Sequence, residues 1–143
     1  MYQLNQEKAV YNLNNRPRLA VTLGDPGGIG SEVILKALAD SNIYNYCDLT
    51  VVGNRSLLLQ NYTALRQNEN TDFLANPEQL SILDVDLDED ILNNVTLGVE
   101  NAASGGASFA FMEAAINQTL DGNFDGIVTG PIAKSAWKAA GHV

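Results

Sequence analysis

Short apolar runs alternate with segments of helical spacing along most of this chain, and this alternation limits the folds available to it. Each run is four to seven residues long and is bounded by turn-forming residues, as strands are. Strands that alternate with helices predict an α/β fold in which a mostly parallel sheet has helices on both faces. The predicted strands are 18–23, 48–52, 81–87 and 126–129, and the predicted helices are 31–39, 56–66, 105–120 and 131–140.

The longest predicted helix, 105–120, has apolar residues that recur at helical spacing. This stripe lies along one face of the helix. It consists of Phe109, Met112, Ile116 and Leu120.

The 143-residue chain has a formal net charge of −9, from 17 acidic and eight basic residues. Twelve of those acids, and no Lys or Arg, fall between residues 67 and 133. Such a surface repels phosphate backbones, so nucleic-acid binding is disfavoured. No apolar run approaches the roughly 18 residues of a membrane helix, and the first residues lack the basic-then-apolar order of a secretory signal. We therefore expect a cytoplasmic protein that does not bind membranes.

Cysteine and histidine are too rare in this sequence for the common metal sites. Cys47 and His142 are the sole residues of their types, so one copy of the chain forms no internal disulfide, cysteine cluster or multi-histidine site. The acidic segment 84–90 lacks the glycine and the glutamate that a calcium loop requires at its sixth and twelfth positions. We interpret this segment as a solvated strand end.

Residues 1–16 are rich in Asn and Gln and show no sustained apolar period, which predicts a flexible N-terminal tail. Residues 17–143 are predicted to form a first α/β domain, truncated before the metal-binding part. The last predicted helix ends at a glycine, and no further strand follows it. We therefore expect the chain to be a fragment of a longer protein.

The first candidate site is the glycine-rich segment 24–30, which connects a predicted strand to a predicted helix. Its glycines allow unusual backbone angles, and the helix start behind them carries partial positive charge, which favours a carboxylate or a phosphate. No Lys follows as in a P-loop, and Val33 stands where the dinucleotide fingerprint needs glycine. The alternative is a tight turn in which Ser31 caps the helix. The candidate anion-binding residues are Gly27, Gly28 and Gly30.

The second candidate site is the segment 129–134. Thr129 lies at the carboxyl end of a predicted strand, and Lys134 lies in the first turn of the next helix. Ligands of open parallel sheets bind outside such strand ends. A cation at the positive end of a helix dipole is unfavourable, and an anionic partner would explain it. The alternative is an ordinary exposed lysine.

The third candidate is the segment 100–108, which is rich in small residues. Small residues allow close approach of the backbone, either to a ligand or to another subunit. The alternative is that Ser104 simply caps the helix that follows.

Three segments together resemble motifs of the 4-hydroxythreonine-4-phosphate dehydrogenases, enzymes of pyridoxal phosphate (vitamin B6) biosynthesis. LGDPGGIGSE at 23–32 is similar to the family's GDPAGIGPE signature, and ASGGASF at 103–109 is similar to its SGxAS helix start. DGIVTGPIAK at 125–134 resembles the family's ALVTxPINK segment. The three segments follow the family's order and spacing, and the likeness extends from about Arg18 to Gly141.

The resemblance implies an α/β fold of the isocitrate and isopropylmalate dehydrogenase type, present here in incomplete form. It implies a homodimer that uses NAD to oxidise a phosphorylated hydroxy-amino acid, 4-phosphohydroxy-threonine, to a β-keto acid that loses its carboxylate. It also implies a divalent metal, whose ligands are expected downstream of Val143 together with the family's late substrate contacts. The chain is therefore expected to contain no catalytic residue and no metal ligand, and to be inactive alone.

The chain departs from the family motifs at three positions. Gly27 replaces the usual Ala, Ser31 replaces the usual Pro, and Ala133 stands where the family commonly has Asn or His. His142 lies at a variable position and is not matched to a family histidine.

Two functions of other classes remain open. One is a stand-alone anion- or phosphate-binding α/β module that uses the glycine-rich segment 24–30. The other is a non-catalytic dimerisation domain, in which 105–111 forms a helix–helix contact with a second copy.

Overall fold

Four parallel strands form the central sheet. The computed structural model describes residues 16–68 and 73–142. The strand order is β3-β2-β1-β4, and every neighbouring pair is parallel. The strands are β1 (Arg18–Thr22), β2 (Asp48–Gly53), β3 (Ile82–Asp84) and β4 (Gly126–Thr129). The predicted α/β fold with a parallel sheet is therefore confirmed.

Helices connect these strands within the described residues. They are α1 (Gly30–Leu38), α2 (Arg55–Arg66), α3 (Glu89–Asn94), α4 (Ala102–Leu120) and α5 (Lys134–Ala139), with 3₁₀ helices at Ser41–Asn45 and Pro77–Gln79. The sequence pattern does not predict α3, because a helix of six residues is too short to show apolar periodicity. Across the described ranges, no helix is long and apolar enough to cross a membrane.

The predicted tail, 1–16, lies outside the described residues except for Arg16. The Arg16 guanidinium pairs with the carboxylate of Asp48, the first residue of β2. This ion pair is exposed on both sides, so it contributes little to stability.

Two predicted elements are shorter in the structure. β3 ends at Asp84 instead of residue 87, because its ladder partner β2 ends at Gly53 and offers no further backbone. α5 begins at Lys134 instead of residue 131, because the Pro131 carbonyl accepts the Asp25 N–H at 2.8 Å and Ala133 keeps an extended conformation.

One core lies between the sheet and the helices that cover it. Its largest fully buried side chains, each at most 1% exposed, come from β2, from α1, α2 and α4, and from the residue after β1. They are Leu23, Leu35, Val51, Val52, Leu58 and Phe111.

The apolar stripe predicted for α4 is not its buried face. Leu120 is 80% exposed and Ile116 is 43% exposed. The buried face consists mainly of small residues, which let the helix lie close to its neighbours and which a hydrophobicity pattern does not reveal. These residues are Ser104, Gly105, Ala107, Ser108, Phe111 and Ala115.

The small residues of α4 pack against α5 of the same chain. A Cβ at Gly105 would lie 2.1 Å from the Ala136 carbonyl oxygen, so only glycine fits this crossing. The indole Nε1–H of Trp137 donates a hydrogen bond to Ser108 Oγ at 2.6 Å. Phe109 stacks on His142 with ring centroids 3.6 Å apart. The small residues of segment 100–108 thus allow α4 to lie close to α5 of the same chain.

Arg18 and Asp125 hold the starts of β1 and β4 together. The Arg18 backbone N–H donates to Asp125 Oδ2 at 2.8 Å, and the Arg18 guanidinium donates to Oδ1 at 3.1 Å. The side-chain hydrogen bond from Arg18, followed by its backbone N–H, lowers the pKa of Asp125. The contribution of this pair to stability is therefore present above the unfolded-state pKa and is lost as the pH falls through the folded-state pKa.

We expect Gly105→Ala to destabilise the fold by about 1–3 kcal/mol, because the added methyl group overlaps the Ala136 carbonyl. Gly106→Ala is the matched control, since a Cβ there would lie 3.4 Å from its nearest neighbour, Ile91 Cδ1. That variant should gain about 0.5–1 kcal/mol from helix propensity. Urea unfolding measures both, and equal stability of the two variants would contradict the packing argument.

We also expect the carboxyl carbon of Asp125 to titrate below the ordinary aspartate range in an NMR pH titration. Arg18→Gln should raise the pKa of Asp125, because it removes the guanidinium that lowers it. Lys138→Gln, which removes a positive charge from α5, should leave that titration unchanged. An Asp125 curve that does not respond to Arg18→Gln would refute the assignment.

Candidate functional site

The three predicted segments meet at the carboxyl edge of the sheet. β1 and β4 are parallel neighbours, so the segments that follow them, 24–30 and 130–134, leave from the same edge. The strand order also reverses at β1, because β2 and β3 extend to one side of it and β4 lies on the other. Ligands of open α/β sheets bind at such a switch point.

Asp25 connects these segments. Its carboxylate is 2% exposed and accepts the Gly27 N–H at 2.8 Å through Oδ1 and the Ser104 hydroxyl at 3.1 Å through Oδ2. Its backbone N–H donates to the Pro131 carbonyl at 2.8 Å. Asp25 is not among the site residues predicted from the sequence. The signal that identifies it is a lone carboxylate among glycines, directly after a buried strand.

Close packing, more than free amide groups, explains the glycines of 24–30. Gly24 has a φ of +75°, and a Cβ there would lie 2.4 Å from the Pro131 carbonyl oxygen. A Cβ at Gly27 would lie 2.1 Å from the Val99 carbonyl oxygen, and the neighbouring Gly98 N–H donates to the Gly27 carbonyl at 2.7 Å. These contacts support the tight-turn interpretation of the segment.

The N–H groups of Gly27 and Gly28 are already engaged. Gly27 donates to the Asp25 carboxylate at 2.8 Å, and Gly28 donates to the Asp25 carbonyl at 3.1 Å. The concave surface beside them is lined by two carboxylates, those of Glu32 and Glu100, which disfavour an anion there. An anion-binding role for Gly27, Gly28 and Gly30 stays a prediction.

Ser31 does not cap α1, so this part of the alternative interpretation is wrong. The N-cap residue is Ile29, which makes no side-chain hydrogen bond to the helix. Ser31 is buried, and its hydroxyl accepts a 2.7 Å hydrogen bond from the side-chain amide of Asn61 on α2. A buried side-chain amide is stable only when it is hydrogen-bonded, and the Ser31 hydroxyl provides such a partner for Asn61.

Ser104 takes part in the cap of α4 but is not the N-cap residue. Asn101 occupies that position, and its side chain accepts the Ser104 N–H at 2.9 Å. The Ser104 hydroxyl in turn accepts the Asn101 N–H at 2.9 Å, which completes a capping box. This cap explains why the helix begins at Ala102, before the predicted start at residue 105.

Thr129 and Lys134 are both exposed at the carboxyl edge. The Gly130 N–H donates to the Thr22 carbonyl at 2.8 Å and so fixes this segment against β1. In the described part of the chain, the Lys134 ammonium takes part in no salt bridge. The segment therefore presents a hydroxyl and a positive charge to solvent beside Asp25.

The described residues assemble no metal site. Nowhere in 16–68 or 73–142 do three His, Cys, Asp or Glu side chains form a group that could hold a metal ion. Cys47 is buried as a free thiol, and the ring of His142 stacks on Phe109. We therefore assign no metal ligand within these ranges.

Solved dehydrogenases share this fold. The 4-hydroxythreonine-4-phosphate dehydrogenase of Burkholderia phymatum matches with a TM-score of 0.73 and 27% identity, over 90% of this chain and 40% of that one. A terephthalate 1,2-cis-dihydrodiol dehydrogenase of Burkholderia xenovorans matches with a TM-score of 0.66 and 26% identity, over 90% of this chain and 38% of that one.

The particular family follows from sequence. The family described as pyridoxal phosphate biosynthetic protein PdxA matches residues 45–143. The 4-hydroxythreonine-4-phosphate dehydrogenase of a Nostoc species is 61% identical over 143 residues, which cover 99% of this chain and 40% of that protein. The chain belongs to the PdxA family, as its three motifs predicted, and spans 40% of the length of the Nostoc relative.

We expect Asp25→Ala to destabilise the fold by about 2–4 kcal/mol, because the Gly27 N–H and the Ser104 hydroxyl lose a buried, charged acceptor. Asp86→Ala, at an exposed carboxylate, is the control and should change stability by less than about 0.5 kcal/mol. Denaturant unfolding gives both values. A loss at Asp25 no larger than the loss at Asp86 would show that the edge does not depend on this carboxylate.

Proposed function

We propose that this chain forms the N-terminal part of an enzyme of pyridoxal phosphate biosynthesis that uses NAD to oxidise 4-phosphohydroxy-threonine, with decarboxylation of the β-keto acid. Membership of the PdxA family and 61% identity to the Nostoc dehydrogenase support this proposal. Within the structure, the observation that carries it is the meeting of the three family-like motifs around Asp25, at the switch point.

In this proposal, Thr129 and Lys134 form one wall of the substrate pocket. Both side chains are exposed at the carboxyl edge, where ligands of such sheets bind. The Lys134 ammonium would donate charge-assisted hydrogen bonds to a phosphate or carboxylate oxygen of the substrate. The Thr129 hydroxyl would hold a neighbouring oxygen and orient the substrate.

NAD would accept the hydride when bound, and a divalent metal would hold substrate oxygens. The described residues form no metal-binding cluster, and the N–H groups of Gly27 and Gly28 already donate to Asp25. We therefore assign neither group to this chain and propose that the remainder of the enzyme binds both. On this proposal, residues 1–143 alone do not turn over substrate.

The homodimer implied by the family resemblance and the cytoplasmic location expected from the sequence are also part of the proposal. We infer the substrate from the name of the Nostoc relative and not from the fold. A terephthalate dihydrodiol dehydrogenase has a similar fold, and a fold alone does not determine a substrate.

The two other functions have less support. A stand-alone anion-binding module is disfavoured because Asp25 engages the candidate amides of Gly27 and Gly28. A dimerisation domain built on 105–111 is disfavoured because Gly105 already packs against α5 of the same chain.

A chimera tests the proposal. In it, residues 1–143 replace the aligned segment of the Nostoc dehydrogenase. We expect the chimera to form NADH from 4-phosphohydroxy-threonine and NAD, and residues 1–143 alone to form none. Lys134→Ala in the chimera should lower kcat/KM at least about tenfold, because it removes a charged contact to the substrate.

The control is Lys138→Ala, which removes an exposed cation from the same helix and should leave kcat/KM unchanged. NADH formation by residues 1–143 alone would refute the division of the site between this chain and the remainder. A folded but inactive chimera would refute the proposed activity.

A further inference from the structure

The Thr22 hydroxyl is buried without a hydrogen-bond partner at this edge of the sheet. Thr22 is the last residue of β1 and is 1% exposed, and its Oγ1 has no partner among the described residues. A buried hydroxyl without a partner destabilises the folded state, whereas valine fills nearly the same volume without this penalty. Folding alone therefore does not explain a threonine at this position.

Strand register places Thr22 beside Thr129. The two residues are ladder partners in the parallel pair of β1 and β4. Side chains of such partners project from the same face, and neighbouring strands lie about 4.7–4.9 Å apart. One hydroxyl is buried and the other is exposed, on adjacent strands at the switch point.

We propose that Thr22 and Thr129 form a two-hydroxyl subsite, in which Thr22 Oγ1–H donates a hydrogen bond to an anionic oxygen of the bound molecule. The ligand class, a phosphorylated hydroxy acid, rests on the proposed function. In this proposal, the ligand oxygen reaches Thr22 Oγ1 from the side of Thr129 and supplies the partner that the hydroxyl lacks among the described residues. Lys134, in the segment that follows β4, favours an anion at this edge.

The test is an NMR titration of residues 1–143, which follows the Gly130 amide as inorganic phosphate or 4-phosphohydroxy-threonine is added. Thr22→Val should weaken binding of both probes about tenfold or more, because it removes a hydrogen bond to a charged group. The melting temperature of the unliganded variant should equal or exceed that of the wild type, because no structural hydrogen bond is lost. Thr22→Ser, which keeps the hydroxyl, should bind within about threefold of the wild type.

Thr50→Val is the matched control, because the Thr50 hydroxyl lies 3.0 Å from the Ser81 hydroxyl, at the β2 side of the sheet. It should leave the affinity for both probes unchanged. Equal affinity of Thr22→Val and the wild type would overturn the proposal, as would the absence of binding by the wild type. A lower melting temperature of unliganded Thr22→Val would also overturn it, because it would reveal a structural partner. NADH formation by the chimera tests the proposed function separately.

Discussion

The carboxyl edge of the sheet depends on the hydrogen bonds that the buried Asp25 carboxylate accepts. A carboxylate with 2% exposure is stable only if donors surround it, and no cation among the described residues forms a salt bridge with it. The Gly27 N–H and the Ser104 hydroxyl supply those donors. Because Ser104 lies 79 residues further along the chain, solvation of one charge fixes the start of α4 against the loop after β1.

Close backbone contacts provide the second constraint on this edge. At Gly24, Gly27 and Gly105, a carbonyl oxygen from another segment occupies the space that a Cβ would need. These contacts hold the loops after β1 and β4 together and hold α4 on α5. An alanine at position 27, as in the family motif that this segment resembles, would force the Val99 loop to move.

Local patterns of apolar and turn-forming residues predicted the strands, most helices and the edge at which the motifs meet. They did not reveal the buried face of α4, because that face consists of alanine, serine and glycine beside Phe111, and hydropathy does not distinguish small buried residues from small exposed ones. They also offered a helix cap as one role of Ser31, because serine is common at helix N-termini. The partner that the structure gives Ser31 is Asn61, 30 residues away.

Sequence by itself determined the α/β class, the parallel sheet and the family, because these depend on periodicity and on residues that are close together in each motif. Only the tertiary structure decided which polar groups are engaged: the Gly27 and Gly28 amides are satisfied by Asp25, whereas the Thr22 hydroxyl has no partner among the described residues. The physical reason is that the hydrogen-bond partner of a buried group is set by segments far away in the chain, whose positions no local pattern contains.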